Sequence, residues 1–515
     1  MKKPASTTRT AVDEQVIAVD LAASLLSALD LPADHPGLGL VTAAYAAVLN
    51  GQSCHELDAM PAKSVLVGGP ADVDTPLVAQ SDGKGGALVY LRRMDELEEQ
   101  LAKRLQALAE PRPEAKRWDA SGGAQIAAAD KLNTAQRDGI LRLGTHSLVI
   151  LTGGPGTGKT YTLNSLLRHA VVNGKLRPSD IRLVAPTGRA ARRIADGLAS
   201  LRATEEFKNL SEPQTIHSLL YEHEAFDTLQ LLVIDESSMV DLMLFSETVE
   251  KLPKDCSIVL VGDPDQLPSV DVGSVLSDLC AAPALSSVKV TLTEQNRSKD
   301  SPEIMEMARA VLTRTGLESI RTTEPKLEDI LALVRLEYGR LVEHAREGRV
   351  EEAVAAIDAV RVLCSHARGP LGAQALSRAI ADELKVRLDP PSAGALLMVT
   401  RNDRRGTGLS NGDVGVVVNG LVYFRGQVVG FDLSRLPEYA PAFATTIHKA
   451  QGSEYGHAVV VVGESEREDF LNRQLIYTAI TRAKSKVTIF AKAETFQAAA
   501  KRDVTRASGL GQRLA

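Results

Sequence analysis

The sequence predicts an α/β protein in which parallel β-sheets are covered by helices. From about residue 131 onward, short apolar segments typical of strands, at 148–151, 181–185, 231–234 and 257–261, alternate with segments of helical periodicity. Such alternation is typical of a parallel sheet with helical crossovers. A glycine-rich segment directly after the first of these strands, and a return to α/β texture over residues 442–492, favour the same fold class.

The composition favours a soluble globular protein with several domains. The 515 residues include 44% hydrophobic and 24% charged residues, and at about 100 to 200 residues per domain they predict roughly three or four domains. No apolar run approaches the ~20 residues that span a bilayer, and the basic first ten residues lack the apolar stretch of a secretory signal. We therefore expect a protein of a bacterial-type cytoplasmic setting, without membrane contact.

Charge, aromatic content and cysteines limit the classes of partner. A formal net charge of −6 argues against a generally basic nucleic-acid coat, although a local channel is sufficient for a protein that slides along its ligand. Aromatic residues make up only 4% of the chain, so stacking of many bases on rings is not expected. The four cysteines have neither metal-ligand spacing nor the density of a disulfide framework, and we expect them to be reduced and inert.

The remaining segments indicate how the domains are arranged. Residues 12–110 have helical periodicity apart from an extended patch at 75–79 and 86–91, which predicts a mostly helical domain over residues 1–112. Residues 111–117 and 121–124, rich in proline and glycine, predict a linker. Residues 301–362 are helical and charge-rich. A strand-rich insert at about 396–440, with the turn Asn411-Gly412-Asp413, predicts a β-barrel-like module.

A glycine-rich loop between a strand and a helix predicts a nucleotide site. Its residues fit the pattern G-x-x-x-x-G-K-T: Gly153, Gly154, Pro155, Gly156, Thr157, Gly158, Lys159 and Thr160. The glycines allow backbone N–H groups to surround a β-phosphate, Lys159 neutralises the β and γ oxygens, and Thr160 offers a hydroxyl to Mg²⁺. The alternative interpretation is a chance glycine turn, which the flanking strand and helix disfavour.

An acidic pair follows a later strand. Asp235 and Glu236 come directly after the apolar segment 231–234. In a site for ATP and Mg²⁺, Asp235 holds the magnesium through its water shell and Glu236 polarises the attacking water. Two acids at a strand end are often merely solvated, but their order after the glycine-rich loop favours the catalytic interpretation.

Three further residues are candidates for sensing the γ-phosphate. Gln266 lies in the turn GDPDQLP after the strand at 257–261, where a side-chain amide could contact the γ-phosphate; taken alone, the segment is also consistent with a plain polar turn. Lone arginines are usually surface residues, so Arg297 carries little weight by itself. Together with Arg482, in YTAITR near the C-terminus, it completes a cationic clamp on transition-state charge.

The motifs in their order resemble superfamily 1B helicases, and most closely the RecD family, the α subunits of bacterial exonuclease V. The matching segments are LNTAQ (132–136), GGPGTGKT (153–160), APTGRAA (185–191), TIHSLL (215–220), VIDESSMV (233–240), GDPDQLPSV (262–270), ATTIHKAQGSE (444–454) and YTAITRAK (477–484). Three more support it: CSHARGPLG (364–372), TRND with LSNGD (400–403 and 409–413), and TRASGL (505–510). The resemblance covers most of the chain and is most specific from residue 131 onward.

The resemblance implies roles for individual residues. Lys159, Asp235, Glu236, Gln266, Arg297 and Arg482 match the ATPase residues of the family, with Thr160 and Asp235 as metal ligands. Gln136 matches the glutamine that contacts adenine, Tyr161 adjoins the phosphate loop, and Glu454 falls near the ribose. The positions matched to single-stranded DNA contacts are Pro186, Thr187, His217, Asn402, Thr446 and His448. Without the family, Gln136 is better explained as a glutamine on a helix surface, and both histidines are better explained as structural residues than as DNA contacts.

The resemblance also implies an architecture and partners. Two RecA-like motor lobes are expected at 113–300 and 371–515, joined by a helical connection at 301–370, with an SH3-like insert in the second lobe and the first domain as a docking surface. The expected activity is ATP-dependent 5′–3′ translocation on single-stranded DNA and unwinding of end-bearing duplex, within a heterotrimer containing RecB-like and RecC-like subunits, in double-strand break repair and recombination.

The sequence departs from related helicases in three respects. Only a short insertion fits between residues 191 and 215, so any strand-separating pin in the first lobe must be small. The N-terminal segment has no helix-hairpin-helix pattern of the long, stand-alone relatives, which favours the subunit form. The chain also lacks a convincing cluster of acids with a lysine that would form a metal nuclease, so exonuclease activity is expected only from the assembled complex.

Other functions remain open on the sequence alone. The chain could be a related translocase acting on RNA, or an assembly subunit with structural and regulatory roles and a weak motor. The complete set of ATPase residues argues against the second alternative. A P-loop kinase is least favoured, because that class does not need the segments at 445–454 and 477–484.

Overall fold

The computed structural model describes residues 11–72, 74–113, 118–294, 301–403, 406–427, 429–463, 470–504 and 506–515. Arg297, expected to clamp the nucleotide, lies outside the described residues. Within the described ranges the strands form four sheets, two of them wholly parallel. In these same ranges no helix is both long and apolar enough to span a bilayer.

The N-terminal block is a small mixed sheet with helices packed against it. Its elements are α1 (Ala11–Ala28), α2 (Leu38–Leu49), β1 (Cys54–Leu57), β2 (Val67–Gly68), β3 (Leu77–Ser81), β4 (Ala87–Leu91) and α3 (Arg92–Ala109). The strand order is β1-β4-β3-β2, and only β2 and β3 are parallel. The two extended segments predicted from sequence are β3 and β4. A mostly helical domain is thus an incomplete description, because β1 and β2 are too short to show alternating hydrophobicity.

The first lobe is built on a six-stranded parallel sheet in the order β10-β5-β9-β8-β6-β7. Its elements are α4 (Ala120–Ala129), α5 (Thr134–Thr145), β5 (Leu148–Gly153), α6 (Lys159–Val172), β6 (Ile181–Ala185), α7 (Gly188–Gly197), α8 (Ala199–Arg202), β7 (Gln214–Thr215), α9 (Ile216–Tyr221), α10 (His223–Asp227), β8 (Leu231–Ile234), α11 (Leu242–Glu250), β9 (Ser257–Gly262), α12 (Val275–Ala281) and β10 (Lys289–Leu292).

Both faces of this sheet are buried, which explains why its strands are continuous apolar runs rather than alternating ones. Leu148 and Ile150 of β5 pack into a core that also holds side chains of α3, α11 and α12. Val149 and Leu151 point to the opposite face, into a core formed with α5, α6 and α7. The predicted parallel sheet with helical crossovers is therefore present.

One predicted linker is a helix. Residues 121–124 lie in α4, whose N-cap Asp119 accepts hydrogen bonds from the backbone N–H groups of Ser121 and Gly122. The glycines allow close helix packing: a Cβ at Gly122 would lie 2.1 Å from Asn173 Oδ1, and one at Gly123 2.8 Å from His169 Cε1. The linker prediction is wrong here because these glycines provide room for α6 rather than a flexible chain.

The second lobe is built on a four-stranded parallel sheet in the order β17-β11-β18-β19. Its elements are α13 (Pro302–Thr313), α14 (Leu327–Arg346), α15 (Val350–Ala355), β11 (Val360–Cys364), α16 (Ala373–Glu383), five insert strands β12 (Leu396–Val399), β13 (Val414–Val418), β14 (Leu421–Phe424), β15 (Phe431–Asp432) and β16 (Tyr439–Pro441), then β17 (Ala444–Thr446), β18 (Tyr455–Val461), α17 (Arg473–Ile480), β19 (Ala483–Phe490), α18 (Ala493–Lys501) and α19 (Leu510–Arg513). Because β11 supplies a strand, the 301–370 segment is more than a helical connection.

The insert is an antiparallel five-stranded sheet in the order β15-β14-β13-β12-β16. A two-residue turn, Asn419-Gly420, joins β13 to β14 with φ values of 50° and 80°. Such positive values are typical of a type I′ hairpin. The turn predicted at 411–413 occurs just before β13, where Gly412 has a φ of 95°. The strand-rich module therefore lies where the sequence placed it.

Candidate nucleotide and DNA site

Three adjacent parallel strands bring the predicted ATPase residues to one edge of the first sheet. Strands β5, β9 and β8 are neighbours, and their carboxyl ends are followed by the phosphate loop, by Asp263 and by Asp235, respectively. Ligands of open α/β sheets bind at this edge. The arrangement follows from the chain's connectivity, because parallel strands that are joined by helical crossovers all end on the same side.

The phosphate loop has the geometry that its glycines predict. Gly156 and Gly158 adopt φ values of 75° and 84°, which residues with a Cβ rarely adopt. The Thr157 hydroxyl donates to the Gly154 carbonyl over 2.8 Å. The loop therefore presents the N-terminus of the 14-residue helix α6, whose first-turn N–H groups can receive a phosphate.

Lys159 lies inside this loop. Its Nζ donates to the carbonyls of Gly153 (2.6 Å) and Gly154 (2.9 Å). Burial lowers the pKa of Lys159, and the carboxylates of Asp263, Glu236 and Asp235 oppose that shift. Lys159 is suited to bind phosphate oxygens, because the loop carbonyls hold its ammonium group at the position where a phosphate would bind.

The acidic pair follows β8, which is separated from β5 and its phosphate loop by one strand, β9. The Asp235 N–H donates to the Val184 carbonyl over 2.9 Å, which extends the β6–β8 pairing, and the Glu236 N–H donates to Asp235 Oδ1 over 2.8 Å. Burial and the neighbouring Glu236 raise the pKa of Asp235 to about 6. Glu236 adopts a left-handed φ of 50°, which costs on the order of 1 kcal/mol for a residue with a Cβ and is typical of functional sites.

A hydrogen-bonded chain joins this edge to the second lobe. The Gln266 amide donates from Nε2 to Asp263 Oδ2 (3.1 Å) and accepts at Oε1 from Arg482 Nη2 (2.8 Å). The Tyr477 hydroxyl donates to the same Asp263 oxygen over 2.9 Å. Arg482 is only 2% exposed, and its other donors contact the carbonyls of Thr478 and Ser453. Gln266 and Arg482, predicted from motifs 216 residues apart, are therefore in direct contact.

The second sheet presents its opposite edge to the nucleotide site. Strands β18 and β19 are parallel, with Tyr455 paired to Ala483, so Glu454 and Arg482 lie side by side at the amino end of these strands. Pro155 of the phosphate loop shares a small cleft with Thr481 and Lys484. The two lobes thus face each other, carboxyl edge to amino edge, across the phosphate loop.

Helix α7 carries a contact that the sequence reasoning missed. Arg193 donates from Nη1 to Glu236 Oε1 (3.4 Å) and from Nη2 to Glu454 Oε1 (3.0 Å), so it connects the predicted catalytic base of the first lobe to the second lobe. Asp263 and Tyr477 were also missed, although both lie within quoted motifs. The available signal for Arg193 was the spacing of Arg189, Arg192 and Arg193, which places three cations on neighbouring turns of one helix.

Three predicted nucleotide contacts have structural partners near the loop. Gln136 is 3% exposed and completes a capping box with Asn133, and its Nε2 lies 3.4 Å from the Thr157 carbonyl. The Tyr161 side chain is half exposed, and its hydroxyl donates to the Asp130 carbonyl over 2.6 Å. Thr160 lies in the first turn of α6 beside Gly197. The Thr160 hydroxyl and the Asp235 carboxylate are hard oxygen donors, which suit Mg²⁺.

The residues predicted to contact DNA come from strand ends in both lobes. Pro186 and Thr187 follow β6, and the exposed His217 follows the adjacent strand β7. Thr446 ends β17 and His448 lies in the turn after it, while Asn402 follows β12 and accepts from the Asn411 N–H over 2.7 Å. Burial, together with the positive charge of Arg506, lowers the pKa of His448 to about 4. His448 is therefore a neutral hydrogen-bonding group at physiological pH.

Sequence comparisons extend these observations to known families. An AAA domain matches residues 131–326, and a UvrD-like helicase C-terminal domain matches residues 441–490. The RecBCD enzyme subunit RecD of Mycolicibacterium smegmatis is 33% identical over 471 residues, which are 83% of this chain and 82% of that protein. The chain belongs to the RecD family. The resemblance stated from the motifs is thus confirmed.

Two other proteins are similar to this RecD-family chain, one in sequence and the other in structure. The ATP-dependent RecD2 DNA helicase of Deinococcus radiodurans is 29% identical over 508 residues, which are 95% of this chain but 66% of that protein. A solved Pif1 helicase from Candida albicans is 16% identical, covers 71% of this chain and 96% of that chain, and has a TM-score of 0.41. Because that TM-score is below 0.5, the family assignment depends on the sequence relatives alone.

Proposed function

We propose that this RecD-family chain is an ATP-dependent DNA helicase subunit that moves 5′ to 3′ along single-stranded DNA. The observation that carries the proposal is the contact between Gln266 of the first lobe and Arg482 of the second, 2.8 Å apart at the phosphate-loop edge. It joins a γ-phosphate sensor to a cation on the other lobe, so a change at the nucleotide alters how the lobes contact each other. The name of the RecD2 relative supports ATP dependence and DNA as the substrate.

The residues at the strand ends divide the work of hydrolysis. Lys159 binds phosphate oxygens, Glu236 orients and polarises the attacking water, and Arg482 stabilises charge on the transferred phosphoryl group. Thr160 and Asp235 would hold a magnesium ion, which would supply positive charge that neutralises the phosphate oxygens. Arg297 is proposed as a second cation of this clamp, and Gln136 and Tyr161 as contacts of the adenine end, with Glu454 near the ribose.

Movement along DNA follows from closing and reopening the cleft between the lobes. Thr187 and His217 grip the strand from the first lobe, and Thr446 and His448 from the second, so a change in lobe separation changes the distance between the two grips. Pro186 and Asn402 complete this set. Since phosphate and sugar contacts carry little sequence information, we expect weak sequence preference and salt-sensitive binding.

The domains and partners of the proposed motor extend this assignment. The N-terminal block is proposed as the docking surface for RecB-like and RecC-like subunits, since the RecD relatives are named as subunits of RecBCD. Two RecA-like lobes are proposed around the two parallel sheets, with an SH3-like module in the 396–441 insert. The second lobe would then begin before residue 371, because β11 belongs to its sheet.

Replacing Lys159 tests the proposed motor directly. The variant Lys159→Gln keeps the length and polarity of the side chain but removes its charge, and we expect DNA-stimulated ATP hydrolysis to fall by about 100-fold or more. Lys254→Gln, on the exposed surface of the same lobe, is the matched control and should hydrolyse ATP like the wild type. Both are measured as steady-state phosphate release with saturating single-stranded DNA.

Two outcomes contradict the proposal in different ways. Full DNA-stimulated hydrolysis by Lys159→Gln removes this site as the ATPase centre. A wild-type chain that does not hydrolyse ATP even when assembled with its presumed partner subunits is instead a structural subunit without a working motor. Stronger stimulation by RNA than by a DNA strand of the same sequence assigns the motor to RNA.

A further inference from the structure

The end of the chain returns from the second lobe to the N-terminal block. We call residues 502–515 the C-terminal strap; Thr505 lies outside the described residues. The strap leaves the second lobe at Arg502, whose carbonyl accepts from the Arg473 N–H over 2.7 Å. It reaches the N-terminal block at Ala507, whose carbonyl accepts from the Ser53 N–H over 3.1 Å. Leu510 and Leu514 are buried there at 1% and 0% exposure.

Arg506 fixes the strap to a loop of the first lobe. Its Nη1 donates to the carbonyls of Asp271 (2.8 Å) and Gly273 (2.9 Å), and its Nη2 donates to the Ser269 carbonyl (2.7 Å). The guanidinium therefore holds three carbonyls of one five-residue loop, an arrangement that its planar fork allows and that an ammonium group cannot reproduce. Burial lowers the pKa of Arg506, and Asp271 opposes that shift.

The loop held by Arg506 continues directly from Gln266, the proposed γ-phosphate sensor. Between them, the Leu267 N–H donates to the Thr478 hydroxyl and the Leu267 carbonyl accepts from Gln451 Nε2, both over 2.9 Å. Both partners belong to the second lobe. Seven residues of chain, 267–273, therefore run from the sensor, past two contacts with the second lobe, to the guanidinium of Arg506.

The N-terminal block closes the third side of this junction. The Gly273 N–H donates to the Gly51 carbonyl over 2.8 Å. Gly51 has a φ of 79°, and a Cβ there would lie 2.9 Å from the central carbon of the Arg506 guanidinium. The charge of Arg506 also contributes to the lowered pKa of His448, on the proposed DNA grip of the second lobe. Arg506 thus lies where the N-terminal block, the 267–273 segment and the second lobe meet.

We infer that Arg506 is a positioning residue that couples the γ-phosphate sensor to the rest of the motor. Arg506 holds the 269–273 loop against the N-terminal block. Because this loop cannot relax, a displacement of Gln266 changes the contacts that Leu267 makes with the second lobe. The inference depends on the proposed motor function. Arg506 has no described contact with the phosphate loop. We therefore expect that loss of the arginine weakens the coupling between the sensor and the lobe contacts while ATP still binds normally.

The test compares Arg506→Ala and Arg506→Lys with Arg513→Ala in the full chain. Arg513 is the matched control because it anchors the same strap to Asp95 (2.6 Å) and Glu98 (3.4 Å) without contacting the 269–273 loop. For Arg506→Ala we expect kcat of DNA-stimulated ATP hydrolysis to fall about tenfold while the KM for ATP changes less than about twofold. Arg506→Lys, which restores charge but not the fork, should recover part of that loss.

The controls separate positioning from simple loss of structure. Arg513→Ala should lower the unfolding temperature of the protein while leaving kcat at saturating DNA within about twofold of the wild type. If Arg506→Ala does not fold, Arg506→Lys alone tests the inference, and its kcat must be reduced while its KM for ATP is unchanged. Equal kcat values for Arg506→Lys and the wild type, or equal losses of kcat in Arg506→Ala and Arg513→Ala, overturn the inference.

Failure of the inference is distinguishable from failure of the proposed function. An unaltered kcat in the Arg506 variants, in a wild-type background that hydrolyses ATP with DNA and loses this activity in Lys159→Gln, overturns only the role of Arg506. A wild-type chain without DNA-stimulated hydrolysis, even when it is assembled with its presumed partner subunits, overturns both.

Discussion

At the scale of single residues, Asp278 on α12 is a half-buried acid that opposes folding when it is ionised. Desolvation raises its pKa to about 7, the neighbouring Ser508 hydroxyl of the strap lowers it in part, and the nearby Glu98 raises it further. Because the folded state favours the neutral form, the stability that Asp278 contributes is fully present below the pKa of the unfolded chain, about 3.9, and is lost as the pH rises to about 7.

Replacing Asp278 with asparagine should therefore stabilise the protein in a pH-dependent way. We expect Asp278→Asn to raise the unfolding temperature by about 2–4 °C at pH 8, with the gain shrinking between pH 7 and pH 4 and vanishing below. Differential scanning calorimetry across this range measures it, with Asp227→Asn, an exposed acid at the end of α10, as control. A gain of the same size at pH 4 and pH 8 contradicts the assigned cause.

Which site residues could be found from sequence depends on how far their partners lie along the chain. Lys159 and Asp235 were predictable because each is set by a strand and loop within a few residues of it. Gln266 was found by its turn, but its contact with Arg482 was not predicted, because the two residues lie 216 positions apart and meet only where the lobes do. Arg193 was missed since its two acids, at 236 and 454, are brought to it only by the sheet order and the meeting of the lobes.

At the scale of secondary-structure elements, helix α7 links the first lobe to the second through three arginines. Arg189 contacts the Ser453 hydroxyl, Arg192 pairs with Asp413 Oδ1 over 2.7 Å, and Arg193 reaches Glu454. Gly188 allows the close approach, because a Cβ there would lie 2.6 Å from Ser410 Oγ. The helix capped by Thr187, a proposed DNA contact, therefore also contacts the insert and the proposed nucleotide cleft.

The Arg192–Asp413 pair gives a test of this link. Asp413 is 5% exposed, so Arg192→Ala leaves a buried carboxylate without its cation, and we expect the unfolding temperature to fall by about 2–4 °C. Arg192→Ala combined with Asp413→Asn should regain part of that loss, because the neutral amide does not need a cation. Arg378→Ala, an exposed arginine on α16, controls for loss of a surface charge. Additive effects of the two changes would show that the pair does not interact.

The elements that sequence patterns predicted poorly are those shaped by packing. The glycines of α4 predicted a linker, yet they lie where Asn173 and His169 of α6 approach the helix. The strands β1 and β2 have four and two residues, and a sheet partner rather than a pattern makes them strands. Long apolar strands such as β5 and β9 were predictable because both their faces are buried.

At the scale of the whole molecule, the two parallel sheets fix which edges can face each other. The first presents its carboxyl edge and the second its amino edge, so every closure brings the phosphate loop toward Glu454 and Arg482. That the two sheets belong to lobes of one motor was predictable only through the family resemblance. Composition and periodicity indicate two α/β regions, but they do not indicate how the two sheets are oriented relative to each other. The position of the C-terminal strap against the N-terminal block had no local signal.

The proposed direction of movement is tested on the assembled complex. The chain, co-purified with its proposed RecB-like and RecC-like partners, is assayed on duplexes with a 5′ or a 3′ single-stranded tail, together with a complex that carries Lys159→Gln. We expect the variant to lose at least about 90% of the unwinding that starts from the 5′ tail, and to lose less of any unwinding that starts from the 3′ tail. Selective loss on the 3′-tailed duplex reverses the assigned polarity.

The walls of the nucleotide cleft are covalently joined, because Gly154 on one side and Tyr477 on the other belong to one polypeptide; a Cβ at Gly154 would lie 3.0 Å from the Tyr477 hydroxyl oxygen. Their effective concentration relative to each other is set by the intervening chain and not by the amount of protein in solution. Ring-shaped motors whose sites form between neighbouring subunits lose those sites on dilution. Here one copy of the chain carries both walls, so their contact does not depend on a second copy of the chain.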